Sequence, residues 1–416
     1  MDNSDGEKKA ASATVLGALE GSISVLLTLL AGYIATRAGM LNKQSAKQIM
    51  KLSTSVFLPC LLIQQMGPEL SPSNLGRLWI MPAWGLVSTV IAHGLGWVGV
   101  KLFKLPKWTI IASGRPNSNA LPLLLLDALD STGVLDALKK NDSDSSSSTM
   151  NRAKTIVLLN AIVQQCFSFA IGPEILEDAD QEDHDRLLPG PSGIGATIQD
   201  SEHVGLLADH DGMDNTEYPS APIKQLENIP DIHWPNRILF LEKPVKKIAS
   251  YLNPPLIGAI IALILGCISP VRKTVFDEEG AFYNSITRAV KNLGDLFVSL
   301  QMFAVGGQLA TVPTAYPGIK PTSFAIMVRY LAMPALSIGF VFLTAKKGIY
   351  VDDPLTWFLL ILLPSGPSAM VLASISEMVN KDQGPIAGYL TIAYILSPLI
   401  SLTATAALQV VTKLES

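Results

Sequence analysis

Charge is scarce in this chain: of its 416 residues only 16% are Asp, Glu, Lys or Arg, while 49% are hydrophobic. A formal net charge of -4 with no strongly basic block gives no basis for binding nucleic acid. Cysteine is scarcer still. Cys60, Cys166 and Cys267 each fall in an apolar run and read as small buried hydrophobes, which excludes a disulfide framework or a thiolate metal site. Histidine is no richer: His184, His203, His210 and His233 share one polar stretch, and His93 stands alone in an apolar one. No nucleophile with its base, no metal set and no cofactor site can be assembled from these residues, so an enzyme is not expected. A removable signal peptide is not expected either, because the first 13 residues are polar and of mixed charge and no small-residue cleavage pattern follows the first apolar run.

What the chain has instead is long apolar runs. Ten of them, 14–38, 46–66, 75–103, 108–129, 155–176, 252–270, 286–309, 322–344, 355–378 and 387–411, approach or exceed the roughly 20 residues that one bilayer crossing needs. The expected fold class is an all-α polytopic membrane protein. Its layout is a polar tail at 1–13, five spans within 14–176, a polar loop at 177–248 and five spans within 249–416. The loop gathers acidic residues among Gly, Ser and Pro, a composition that predicts disorder. Its end, 233–247, carries Trp234, Ile238, Phe240 and Leu241 beside three lysines and reads as a linker or as a short amphipathic piece on the membrane surface. The run 141–148, NDSDSSSS, reads as a second low-complexity loop. Lysine and arginine after the first and third spans place those loops in the cytosol, although Arg272, Lys273, Arg288, Lys291, Lys346 and Lys347 lie on the opposite face.

Two of the runs are interrupted. The stretch 113–127, SGRPNSNALPLLLLD, places Gly114, Arg115, Pro116, Asn117, Ser118, Asn119 and Pro122 inside an apolar segment. The stretch 363–370, LPSGPSAM, does the same with Pro364, Gly366 and Pro367. Proline removes a backbone donor and clashes with the preceding turn, and in hydrocarbon the freed carbonyls need other partners. Both helices should break there, and two broken helices in corresponding halves point to a midplane substrate site in a secondary transporter. Echoes in the same order support a repeat: LAGYIATR at 30–37 with LGCISPVR at 265–272, LIQQM at 62–66 with SLQMF at 299–303, Met81-Pro82-Ala83 with Met333-Pro334-Ala335, and Ser113-Gly114 with Ser365-Gly366. Five helices per copy would set the two copies in opposite orientations.

The run Asn117-Ser118-Asn119-Ala120-Leu121-Pro122 resembles the crossover of the auxin efflux carrier family, and in particular its PIN-LIKES and fungal members. Phe57-Leu58-Pro59-Cys60-Leu61, Gly306-Gly307-Gln308-Leu309 and Gly366-Pro367-Ser368-Ala369-Met370 carry the same resemblance, which covers the chain outside its central loop. It implies ten helices in two inverted five-helix repeats, with the first two helices of each repeat as a scaffold and two crossing broken helices in a transport domain. It also implies export or sequestration of small organic anions such as indole-3-acetic acid, and residence in the endoplasmic reticulum, with the plasma membrane open. Two residues depart from the family's pattern: Arg115, a full charge beside the crossover, and Ser368, where relatives often carry a second proline.

A carboxylate crossing a membrane must exchange its hydration for protein donors, and exposed half-helix N-termini supply them at the bilayer centre. The candidate substrate-binding residues are Arg115, Asn117, Asn119, Ser365, Gly366 and Ser368, with Gln65 and Gln301 on the facing scaffold helices; Gly114, Pro116, Pro122, Pro364 and Pro367 shape the crossover. Arg115 either attracts the anion, or snorkels to the interface, or pairs with Asp127 or Asp130. Asp295, preceded by Arg288 and Lys291, reads as part of a local charge network. Glu20, Arg329 and Glu377 read as segment-end residues reaching solvent. The expected partners are a small organic anion and the lipid bilayer, and association as a homodimer is open. A proton- or sodium-coupled carrier, for which Asp127 is the nearest carboxylate, and an anion sensor without flux are the alternatives.

Overall fold

The computed structural model describes residues 2–71, 76–118, 120–139, 145–177, 254–312, 314–379 and 381–415. These form helices α1 (Asp2–Arg37), α2 (Lys43–Met66) and α3 (Gly76–Phe103), α4 (Trp108–Gly114) and α5 (Ala120–Ser131), and α6 (Ser146–Glu177). After the central stretch come α7 (Pro254–Cys267) and α8 (Ser269–Phe276), α9 (Tyr283–Thr311) and α10 (Ile319–Thr344), α11 (Pro354–Leu362) and α12 (Val371–Met378), and α13 (Gln383–Ile395) with α14 (Ser397–Glu415). Among the described residues there is no β-strand, only an isolated bridge discussed below. Among the described residues five helices are long and apolar enough to cross a membrane, or up to seven if each of two bent pairs counts as one span.

Local sequence explains where the helices start and bend. The Asn42 side chain accepts a hydrogen bond from Ser45 N (2.8 Å) and caps α2. Asp353 caps α11, its Oδ2 accepting from Thr356 N (3.1 Å) and Oγ1 (2.7 Å), with Pro354 in the first turn, where its missing N–H costs nothing. Pro59 and Pro334 each lie just beyond a widened π turn, Ser53–Phe57 in α2 and Val328–Ala332 in α10. The ring of an interior proline clashes with the carbonyl four residues back, and the extra residue in the turn makes room for it.

Several expected boundaries shift. The helix α1 begins at Asp2, ahead of the tail boundary at 13. The low-complexity run 141–148 extends into α6, where Ser145 Oγ accepts from Ser148 N (3.2 Å) as a helix cap. The run 252–270 is not one straight span: extended backbone at Ile268 and Pro270 at the start of α8 turn the chain through 107°. The last run bends by 49° where Pro398 opens α14. The acidic loop, its amphipathic end at 233–247 and Asn119 lie outside the described residues, as does the side chain of Glu377.

The packing of the first two helices of each half is reciprocal. The helix α1 lies along α9, α7 lies along α2, and α2 and α9 pack on each other. A Cβ added at Gly32 would stand 1.9 Å from Phe303 O, and one at Gly306 would stand 1.9 Å from Leu29 O, so α1 and α9 meet backbone to backbone. Lipid is as apolar as these side chains, so such close contact between small residues, rather than expulsion of water, holds membrane helices together. The remaining helices gather around the two broken segments, with α3 against α4 and α6, and α11 against α6, α10 and α14. Outside, Leu27 and Ile34 of α1, Ile257 and Ile264 of α7, and Leu331, Phe342 and Leu343 of α10 are exposed, an apolar belt that a bilayer covers.

Candidate functional site: the crossing of two broken helices

The fourth expected span breaks after Gly114, with 115–118 outside any helix, and the ninth breaks at 363–370, between α11 and α12. The two breaks cross and pair. Asn117 N donates to Pro367 O (2.8 Å) and Ala369 N donates to Arg115 O (3.0 Å), which makes an antiparallel bridge between Pro116 and Ser368. This pairing answers the question the prolines raise, because backbone groups freed in one helix are satisfied by those freed in the other. Pro116 follows Ser113-Gly114 at the same distance as Ser368 follows Ser365-Gly366. Positions that echo one another in the sequence are therefore partners in space.

Side chains tighten the crossing. Ser368 is fully buried; its hydroxyl donates to Ala112 O (2.5 Å) and is 2.5 Å from the Tyr389 hydroxyl. A serine hydroxyl has one proton, so with that proton on Ala112 O it is Tyr389 that donates to Ser368. Asn117 Nδ2 donates to the Tyr394 hydroxyl (3.1 Å). Ser365 Oγ donates to Leu362 O (2.5 Å), and Gly366 has φ +90°, a conformation other residues rarely adopt. Gly114 lies against His93, whose Nδ1 sits 2.8 Å from Thr89 O and so carries the ring proton. Pro122 falls in the first turn of α5 and starts that helix rather than interrupting it.

Ser368→Ala removes the bond to Ala112 O and leaves the Tyr389 hydroxyl without its acceptor. A buried unsatisfied group costs about 1–3 kcal/mol, so the variant should be folded with a lowered Tm in a thermal melt of purified protein. An unchanged Tm would mean that the serine does not secure the crossing.

Two guanidiniums occupy the same region. Arg329 is 1% exposed, in the π turn of α10, and donates from Nε to Gly366 O (3.1 Å), from Nη2 to Ser365 O (2.9 Å) and at longer range from Nη1 to Ser113 O (3.5 Å). This corrects its expected place at a segment end. The helix begins at Ile319, before the boundary at 322, which sets the arginine deeper in the span, and backbone carbonyls rather than water receive its protons. Arg115 is 3% exposed. Its Nη1 donates to Gln164 Oε1 (3.3 Å), and its Nε has no hydrogen-bond partner among the described residues. The two cations are near enough to repel each other, and among the described residues no carboxylate pairs with either.

The alternative pairing for Arg115 is not made: Asp127 is half exposed and bonds Lys154 (3.0 Å). Asp295 does form the expected local network, bonding Lys291 (2.7 Å) on the surface of α9. Gln65 and Gln301 are not brought to the crossing by any hydrogen bond among the described residues; the Gln65 carbonyl instead accepts from Thr155 Oγ1 (2.9 Å), joining α2 to α6. No group of three His, Cys, Asp or Glu side chains among the described residues could hold a metal ion. Arg329, Gln164, Tyr389 and Tyr394 were not expected here. An arginine well inside a 26-residue apolar run was the available signal for the first, whereas nothing local marks the other three. The crossing is closed to solvent, with Arg115, Asn117, Ser365 and Ser368 all buried. A groove of about 520 Å³ runs along the outer face of α1 past Glu20, Ser24 and Thr28, where lipid chains would lie.

Residues 18–404 match the family described as membrane transport protein. An uncharacterized transporter of Schizosaccharomyces pombe is 25% identical over 396 residues, which cover 86% of this chain and 87% of that one. Protein PIN-LIKES 2 of Arabidopsis thaliana is 23% identical over 378 residues (82% and 81%), and an uncharacterized transporter of Saccharomyces cerevisiae is 24% identical over 402 residues (90% and 91%).

Proposed function

Because the chain belongs to the membrane transport protein family, we propose that it is a secondary transporter that moves small organic anions of the indole-3-acetate type by alternating access at the crossing of its two broken helices. One observation carries the choice of an anion: Arg115 and Arg329 are both buried at the crossing, with no carboxylate paired to either among the described residues. Burying a charge costs several kcal/mol unless it is compensated, on the order of what one ion pair returns, so an anionic ligand fits where the protein supplies no counter-ion. The N-terminal ends of α5 and α12 add positive dipole ends to the same place.

The architecture we propose is ten spans in two inverted five-helix repeats. The reciprocal packing of α1 on α9 and α7 on α2 supports it, as does the pairing of echoed positions Pro116 and Ser368, which a local two-fold axis would generate. Closure of the crossing fits a mechanism in which the helices around it move against α1, α2, α7 and α9 to admit substrate. A proton- or sodium-coupled carrier is less well supported, since Asp127 faces Lys154 rather than the crossing.

The test is uptake of labelled indole-3-acetate into proteoliposomes, with competition by other small carboxylates and by indole-3-acetamide, the uncharged counterpart. Saturable uptake competed by carboxylates but not by the amide is the expected result. Uptake indifferent to charge, binding without flux, or no uptake across the panel would each overturn the reading.

A further inference from the structure

The carbonyl oxygens that Arg329 contacts lie at the end of one half-helix and in the break that follows another. Ser113 lies in the last turn of α4, and Ser365 and Gly366 lie just past α11. The last carbonyls of a helix have no partner within it, and the negative end of the helix dipole makes a cation welcome there. Arg329 supplies that cation to both half-helices at once, from a third helix, with three separate nitrogens. Its backbone stands in the widened turn ahead of Pro334, which sets the side chain off the regular helical register.

We propose that Arg329 is a positioning residue: a cation-bearing clamp on the C-terminal ends of α4 and α11 that fixes the register of the crossing and keeps backbone carbonyls turned away from the bound anion. The clamp divides the labour of the two guanidiniums. Arg329 spends its donors on carbonyls, while Arg115, whose side chain makes one hydrogen bond among the described residues, keeps donors for the substrate. If the clamp is released, the carbonyl oxygens of Ser365 and Gly366 are free to face the substrate, and acceptors repel a carboxylate. This rests on the anion-carrier reading for its effect on substrate but not for its effect on the crossing.

The test uses the full chain, purified and reconstituted, as Arg329→Gln and Arg329→Lys. The first readout is hydrogen–deuterium exchange of the peptides covering 113–118 and 365–370, which contain the amides of Asn117 and Ala369 that bond across the crossing. The second is the KM for indole-3-acetate, measured on the same folded protein. In Arg329→Gln, exchange in both peptides should quicken at least tenfold while peptides from α1 and α9 stay as in the unaltered protein, and KM should rise at least tenfold. Arg329→Lys, which keeps the charge and three donors, should recover part of both effects.

Unaltered exchange in both variants would overturn the clamp whatever the transport result. Equal damage by Gln and Lys would overturn it as well, since packing volume rather than a cation would then be what matters. If Arg329→Gln does not fold, Arg329→Lys alone decides by its exchange at the two peptides: quickened exchange supports the clamp and unaltered exchange overturns it. Quickened exchange in a protein that carries no anion would uphold the clamp and sink the substrate assignment, so the two failures are separable.

Discussion

Arg115→Gln is expected to lower saturable carboxylate uptake by at least tenfold while leaving the folded protein no less stable. A hydrogen bond to a charged group contributes about 1.5–3 kcal/mol, and each 1.4 kcal/mol is a factor of ten in binding. Among the described residues this guanidinium has one 3.3 Å bond to Gln164, an Nε without a hydrogen-bond partner and Arg329 as a like-charged neighbour, so the protein itself gains little from it. Removing the charge relieves that repulsion, so Tm should hold or rise. Loss of transport without loss of stability separates a ligand-binding cation from a structural one. Arg115→Lys keeps the charge but loses the planar fork that matches a carboxylate, and its uptake should fall between the two. The measurements are initial uptake rates in proteoliposomes and a thermal melt. Unimpaired uptake by Arg115→Gln would remove the residue from the site.

Gly306→Leu is expected to abolish folded protein. A Cβ at this position would meet Leu29 O at 1.9 Å, and Leu29 O is backbone, which has no rotamer to yield. The helices α1 and α9 would have to separate along their length, and the loss exceeds the roughly 1–3 kcal/mol of ordinary overpacking, because the close backbone contact of the whole interface goes with it. The monodisperse peak in size-exclusion chromatography of detergent-solubilised protein should disappear. Gly339→Leu, in α10, serves as the control, since a Cβ there meets nothing within 4 Å. A monodisperse Gly306→Leu would mean that α1 and α9 are not held in this packing.

Much of this was legible in the sequence because the relevant rules are local. Proline in an apolar run must break or widen a helix, so both interruptions could be located from Pro116, Pro364 and Pro367 alone. The break in the ninth span falls on 363–370 as expected, while that in the fourth ends before Ala120 because Pro122 can stand in the first turn of a new helix. The bends near Ile268 and Pro398 were readable by the same rule, yet an uninterrupted apolar count at 252–270 and 387–411 concealed them.

The rest depended on contacts between residues far apart in the chain. Arg329 reads as a segment-end residue when its span is taken to start at 322. Its actual partners, the carbonyls of Ser113, Ser365 and Gly366, exist only once two distant breaks meet. Tyr389 and Tyr394 sit in an apolar helix where tyrosine is unremarkable, and only the fold turns their hydroxyls toward Ser368 and Asn117. Asp127 appeared close enough to Arg115 to neutralise it, but α5 carries it to Lys154 instead. That displacement leaves Arg115 without a carboxylate partner among the described residues.

Photoaffinity labelling tests the central claim most directly. Reconstituted protein would be irradiated with a photoreactive indole-3-acetate analogue, with and without excess indole-3-acetate, and the modified peptides mapped by mass spectrometry. The account predicts competable labels on residues 113–118 and 365–370, sharply reduced in Arg115→Gln. Competable labels confined to other helices, with these two stretches unmodified, would contradict it.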